Sequence, residues 1–162
     1  MKKEHLPVYG PGPFYTGTII IITVLCVIFH SHLPSGQIVS LPWLCRLCGS
    51  LLIIAGIALW VYAVILSKID DGIVNNRLVT EGAYALVRNP IYSAFMLVCD
   101  GILLWLCNLW CILPALFYWL FMTVLMKATE EKWLQDLYGQ AYIDYCQRVN
   151  RCWPWFPEKN HG

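Results

Sequence analysis

The chain has 162 residues, 59% of them apolar and only 13% charged, with a net charge of +1. A soluble domain carries about 25% charged residues, and here the apolar residues gather into long blocks, which excludes an ordinary soluble core. No basic stripe suggests nucleic acid as a partner, and the eight Cys, scattered mostly within apolar blocks, act there as small hydrophobes and not as a disulfide framework.

A single membrane domain over residues 1–162 is expected. Residues 1–13 form a short polar arm. The first predicted span covers about residues 14–30, where the run from Phe14 to Phe29 is rich in Ile and Val and, with its flanks, reaches the roughly 20 residues that cross a bilayer. Lys2 and Lys3 ahead of it would suit a signal peptide, but the run is long for one and no small-x-small cleavage site follows. A turn-rich loop, residues 30–42, leads to a second span at about 43–66, interrupted only by Arg46, which can snorkel to the interface. After a polar central loop come a third span at about 91–107 and a fourth at about 109–126. Only Asn108 separates these two, so they are expected to form a tight helical hairpin. Beyond Lys127, Trp133, Leu134, Leu137, Tyr138, Tyr142 and Tyr145 recur at helical spacing. They predict an amphipathic interfacial helix interrupted at Gly139, with Trp153 and Trp155 as interfacial anchors. The fold class is thus an all-α integral membrane protein with four spans.

Charge orients it. Lys2 and Lys3, then Lys68, Arg77 and Arg88, then Lys127, Lys132, Arg148, Arg151 and Lys159 fall on one side; only Arg46 falls on the other. The positive-inside rule places both termini and the central loop in the cytoplasm. The loop and the C-terminal helix then share one face, where a charged soluble cofactor is available.

The stretch LVTEGAYALVRNPIYSA, followed after the hairpin by EEKWLQDLYGQAYIDYCQRV, resembles the isoprenylcysteine carboxyl methyltransferase and phospholipid methyltransferase superfamily, over about residues 68–154. Leu78, Val79, Gly82, Tyr84, Arg88, Pro90 and Tyr92 match the first family motif. Asn89 replaces its histidine, and Asn76 stands near the place of a second one. Asn cannot titrate near neutral pH, so a proton-accepting role for those histidines does not carry over. Glu130, Glu131, Gly139, Tyr142 and Tyr145 match the second motif, with Tyr138 in place of Phe.

The resemblance implies an S-adenosylmethionine-dependent membrane methyltransferase whose lipid-soluble acceptor, an isoprenoid or lipid carrying a carboxylate, amine or thiol, enters from the membrane lipids. No metal or nucleic acid is called for. Glu131 or Glu130 would bind the cofactor ammonium or a ribose hydroxyl, and Arg88 would bind its carboxylate as a fork. Gly82 would allow close backbone approach, and Tyr84 and Tyr92 offer aromatic faces beside Asn89 and Pro90. Methyl transfer to an aligned nucleophile needs few protein acids or bases; Arg88 and Glu131 are the expected catalytic pair. Taken singly, each residue has a blander use: Arg88 as a topological anchor, Pro90 as a helix start, Gly82 as a turn, the two acids as solvated charges.

Asp100 lies in the middle of the third span. An intramembrane acid is costly and faces the bundle interior or a cavity; Asp100 is either satisfied internally by Asn108, a Trp or a Thr hydroxyl, or faces the acceptor. Two other functions are weighed. Cys45 and Cys48 have the spacing of a thiol-redox pair near the outer end of span two, but a lone CxxC is a weak signal. A non-enzymatic scaffold would leave the paired motifs unexplained.

Overall fold

The computed structural model describes residues 10–32, 36–38, 40–66 and 78–154. Lys2, Lys3, Lys68, Asn76, Arg77, Trp155 and Lys159 lie outside the described residues. Among those described, the chain is all-helical, as expected, apart from an isolated bridge between Gln37 and Asn108. Helix α1 is Gly12–Ile28, α2 is Pro42–Val61, and α2 runs on into a π turn, Tyr62–Leu66. A one-turn helix, α3, Ala83–Leu86, precedes α4, Pro90–Trp105. A 3-10 turn, Leu109–Cys111, opens α5, Ile112–Ala128, and α6, Glu130–Tyr138, and α7, Gln140–Arg148, complete the chain. Prolines start α1, α2 and α4, where the missing N–H costs nothing.

Helix α4 is the centre. It packs most extensively along α2 and also touches α1 and α5. The α2–α4 contact is close because small residues face each other: a Cβ on Gly101 would lie 2.6 Å from the Gly49 carbonyl oxygen. On the other side of α4, Tyr15, Ile19, Met96, Leu103, Tyr118, Met122 and Met126 form the main buried cluster with Cys152 from the tail. The α4–α5 hairpin turns where expected. Cys107 takes a left-handed φ of 50°, and Asn108 Oδ1 accepts from the Trp110 N–H at 2.9 Å.

The stretches Pro42–Ile65 and Leu109–Tyr138 are long and apolar enough to cross a membrane, while Gly12–Ile28 and Pro90–Trp105 are apolar but shorter. Length thus supports two spans directly, against the four expected. At 1.5 Å per residue α4 covers roughly 24 Å, short of a core of about 30 Å, because Pro90 and the turn at Cys107 bound it. The outer faces are nonetheless largely apolar, with Arg46 and Lys127 exposed near helix ends. Ile21, Val24 and Ile28 of α1, Leu47, Leu51 and Ile54 of α2, and Leu113, Leu116, Leu120 and Val124 of α5 are exposed. Soluble monomers do not carry apolar surface on that scale.

Candidate functional site

The segment before α4 is shaped by its backbone. Gly82 sits at φ 63°, ψ −131°, a conformation that side chains resist, and launches α3. Val87 is extended, which carries the chain across the C-terminal segment. There the Arg88 N–H donates to the Asn150 carbonyl at 2.8 Å, and Asn89 Nδ2 donates to the Arg151 carbonyl at 3.2 Å. From the other side, the Tyr145 hydroxyl donates to the Tyr84 carbonyl. Tyr142 and Tyr145, on the buried face of α7, pack with Val149 against Leu78, Leu134 and Tyr138. The two sequence motifs, far apart in the chain, are therefore knitted together at one end of the bundle.

An ion cluster lies at the junction. Arg151 forks onto Glu131, Nε to Oε1 at 2.5 Å and Nη2 to Oε2 at 2.9 Å. Arg88 Nη1 reaches Glu131 Oε1 at 3.1 Å and also contacts Cys146 Sγ. Two guanidiniums thus share one carboxylate, a net positive centre. The Glu131 hydrogen bond, aided by its charge, raises the Arg151 pKa, opposed by burial. Arg88 Nε is buried with no hydrogen-bond partner among the described residues. A donor left unmatched in this way is unusual and suits an external acceptor.

Glu130 has a different environment. Thr129 breaks the chain between α5 and α6, with φ −125° and ψ −86°, and sets Glu130 at the start of α6, beyond the end of α5. Among the described residues its carboxylate accepts one side-chain hydrogen bond, from the Tyr92 hydroxyl at 3.2 Å. Burial pushes its pKa up; the Tyr92 hydrogen bond opposes this and the charge of Glu131 adds to it. The Tyr92 ring is held in turn by Tyr15, edge-on at 6.1 Å between centroids.

The structure thus brings together Arg88, Asn89, Pro90, Tyr92, Glu130 and Glu131, with Gly82 and Tyr84 one short helix away. Asn89, in the place of the family histidine, binds backbone and ties Arg151 into position. Asp100 stands apart, about 15 Å further along α4 by helical rise. Its Oδ1 is buried and has no hydrogen-bond partner among the described residues, so the internal satisfaction by Asn108, Trp or Thr is not found there at that atom. Cys45 and Cys48 are free, half-buried thiols on α2. Sequence reasoning missed Arg151, Asn150 and Cys146. Arg151 was legible only as one more cytoplasmic cation, because no spacing rule pairs it with an acid on another helix.

Comparison with known proteins shows the family. The profile of the family described as phospholipid methyltransferase matches residues 44–141, more than half of the chain. "Protein-S-isoprenylcysteine O-methyltransferase B" of Arabidopsis thaliana is 37% identical over 76 residues, covering 46% of this chain and 38% of that protein. Proteins named "Probable protein-S-isoprenylcysteine O-methyltransferase" from Oryza sativa subsp. indica and subsp. japonica are each 34% identical over 76 residues, 46% of this chain and 39% of theirs. The match therefore spans well under half the length of these relatives. No solved structure matches significantly. With both motifs folded into one site and the profile covering the stretch from α2 into α7, the chain belongs to the phospholipid methyltransferase family, within the superfamily that includes the isoprenylcysteine carboxyl methyltransferases.

Proposed function

We propose that the chain transfers a methyl group from S-adenosylmethionine to a lipid-soluble acceptor at the cytoplasmic face of a membrane. In this reading α1, α2, α4 and α5 are four spans, and both termini are cytoplasmic. The observation that carries it is a buried guanidinium N–H on Arg88 with no partner among the described residues, beside a Glu130 carboxylate to which, among those residues, only the Tyr92 hydroxyl donates.

These groups fit the cofactor's charges. S-adenosylmethionine supplies a methyl group activated on a sulfonium, together with a carboxylate and an ammonium. Arg88 would hold the carboxylate, through the Nε that no described residue uses. Glu131, neutralised by two arginines, fixes the plane of Arg88 and leaves the ammonium to Glu130. This reverses the preference for Glu131 that the sequence suggested. Tyr92 orients the Glu130 carboxylate, and Arg151 locks Glu131. The site excludes water through the packing of Tyr142, Tyr145 and Val149 beneath it. Alignment in such a site is the main source of rate for a displacement on an activated carbon.

The acceptor class is an isoprenoid or lipid bearing a carboxylate, amine or thiol. The relatives' names give isoprenylcysteine and O-methyl transfer, which favours an isoprenoid acceptor methylated on oxygen. Function follows the site and not the fold, so family membership alone does not fix the acceptor. The thiol-redox and scaffold readings are not favoured, since neither uses the joined motifs. The test is equilibrium binding of S-adenosylmethionine to purified protein, followed by mass spectrometry of lipid extracts incubated with methyl-labelled cofactor. Binding and a new labelled lipid are expected; absence of binding would remove the enzyme reading.

A further inference from the structure

A groove of about 440 Å³ runs between α2 and α5 over the surface of α4. Leu52, Leu104, Leu116 and Trp119 wall it, and Trp153, two residues beyond Arg151, contributes at the C-terminal tail. At 1.5 Å per residue the wall from Ile112 to Trp119 is roughly 10 Å long. The lining is apolar except for Cys111, Asn108 and Asp100, and the Asn108 side-chain oxygen is already bonded to the Trp110 N–H. Among the described residues Asp100 is the sole carboxylic acid or basic side chain in the lining, and its buried Oδ1 has no partner.

Three occupants differ in how they treat that oxygen. A plain hydrocarbon chain leaves it unmatched in an apolar wall, which is costly. A carboxylate brings a like charge against the ionised form of Asp100. A hydroxyl or protonated amine donates to it. We propose that this groove binds the apolar chain of the acceptor and that Asp100 selects an acceptor carrying a hydroxyl or protonated amine at that depth. Calling the occupant the acceptor rests on the methyltransferase reading; the groove's preference for a donor-bearing chain does not. Asp100 is then a specificity-determining residue, set apart from the arginine cluster by about 15 Å of helix.

The test uses the full chain in nanodiscs of zwitterionic lipid and three photoreactive diazirine probes on the same twelve-carbon chain, ending in an amine, an alcohol or a carboxylate. Crosslinks are mapped by mass spectrometry to peptides carrying Leu104, Leu116 and Trp119. In the wild type the amine and the alcohol should label the groove at least tenfold more than the carboxylate. Asp100→Leu should bring both down to the carboxylate level. Asp100→Asn, which keeps the shape and can still accept a hydrogen bond, should retain the alcohol and lose the advantage of the amine. Equal labelling by all three probes in the wild type, or an unchanged pattern in Asp100→Asn, overturns the proposal, and neither result needs the leucine variant to fold. S-adenosylmethionine binding, measured on the same wild-type preparation, separates the two readings. The probe preference without cofactor binding sinks the methyltransferase and leaves the groove assignment, whereas cofactor binding without the preference does the reverse.

Discussion

Replacing Glu131 by Gln is the perturbation whose outcome the geometry changes most. If Glu131 faced only the cofactor, Glu131→Gln would cost about 1.5–3 kcal/mol of binding, the value of one charge-assisted hydrogen bond, and leave the fold intact. Instead its two oxygens hold Arg151 at 2.5 and 2.9 Å and Arg88 at 3.1 Å. The three side chains are 15%, 17% and 8% exposed, so the rule for buried pairs applies and not the rule for surface pairs. Removing one member of a buried ion cluster costs about 3–5 kcal/mol, because the charges left behind are neither paired nor hydrated. With this residual exposure the lower end, about 3 kcal/mol, is the expected loss. Equilibrium unfolding in mixed micelles measures it, and a double-mutant cycle with Arg151→Gln should return a coupling of about 1–3 kcal/mol. Cofactor affinity should fall as well, since Arg88 loses the partner that fixes its plane. If Glu131→Gln unfolds within about 0.5 kcal/mol of wild type, the size of an ordinary surface change, while cofactor affinity drops, the arginines are not its partners and it belongs to the cofactor.

Three other outcomes are expected. Gly101→Ala should destabilise the bundle by about 1–3 kcal/mol, as overpacking does, because its Cβ would meet the Gly49 carbonyl oxygen at 2.6 Å; unchanged unfolding would mean that α2 and α4 are less closely packed. Glu130 should make stability pH-dependent: its pKa is raised on folding, so its unfavourable contribution is absent below the ordinary value of 4.5 and grows as pH climbs through the folded one. Glu130→Gln should accordingly raise the thermal midpoint at neutral pH and leave it unchanged in acid; an equal shift at both would show that the carboxyl is not buried. In a background lacking native Cys, a cysteine at position 76 should react only with reagents on the cytoplasmic side and one at position 36 only from outside; the opposite pattern would put the site where no S-adenosylmethionine exists.

Much of this was legible in sequence because the determinants are local. Apolar block length and the prolines at residues 42 and 90 mark where α2 and α4 begin, and Asn108 marks the hairpin. Gly139, at φ 56°, divides α6 from α7 as its position in the amphipathic pattern suggests. The pairing of the arginine cluster was not legible, since a buried ion pair between helices leaves no periodic trace. Nor could the sequence separate Glu130 from Glu131. Adjacent residues on a helix point about 100° apart, and the break at Thr129 decides which one meets Tyr92 and which meets the arginines. Asp100 was visible as an anomaly within an apolar helix, but the groove it lines depends on how α2 and α5 flank α4.

Arg88→Lys is the sharpest single test of the site. A lysine keeps the positive charge that topology needs, and its ammonium can still reach Glu131, as Nη1 does at 3.1 Å. It cannot supply a second donor in the plane of the first, which is the role assigned to the unmatched Nε. The measurement is transfer of labelled methyl from S-adenosylmethionine into extracted lipid, at matched amounts of correctly inserted protein. The Lys variant should insert normally and lose methyl transfer by tenfold or more, each tenfold corresponding to about 1.4 kcal/mol of lost transition-state binding. Near-normal transfer by the Lys variant would return Arg88 to the role of a membrane anchor and contradict its assignment to the cofactor carboxylate.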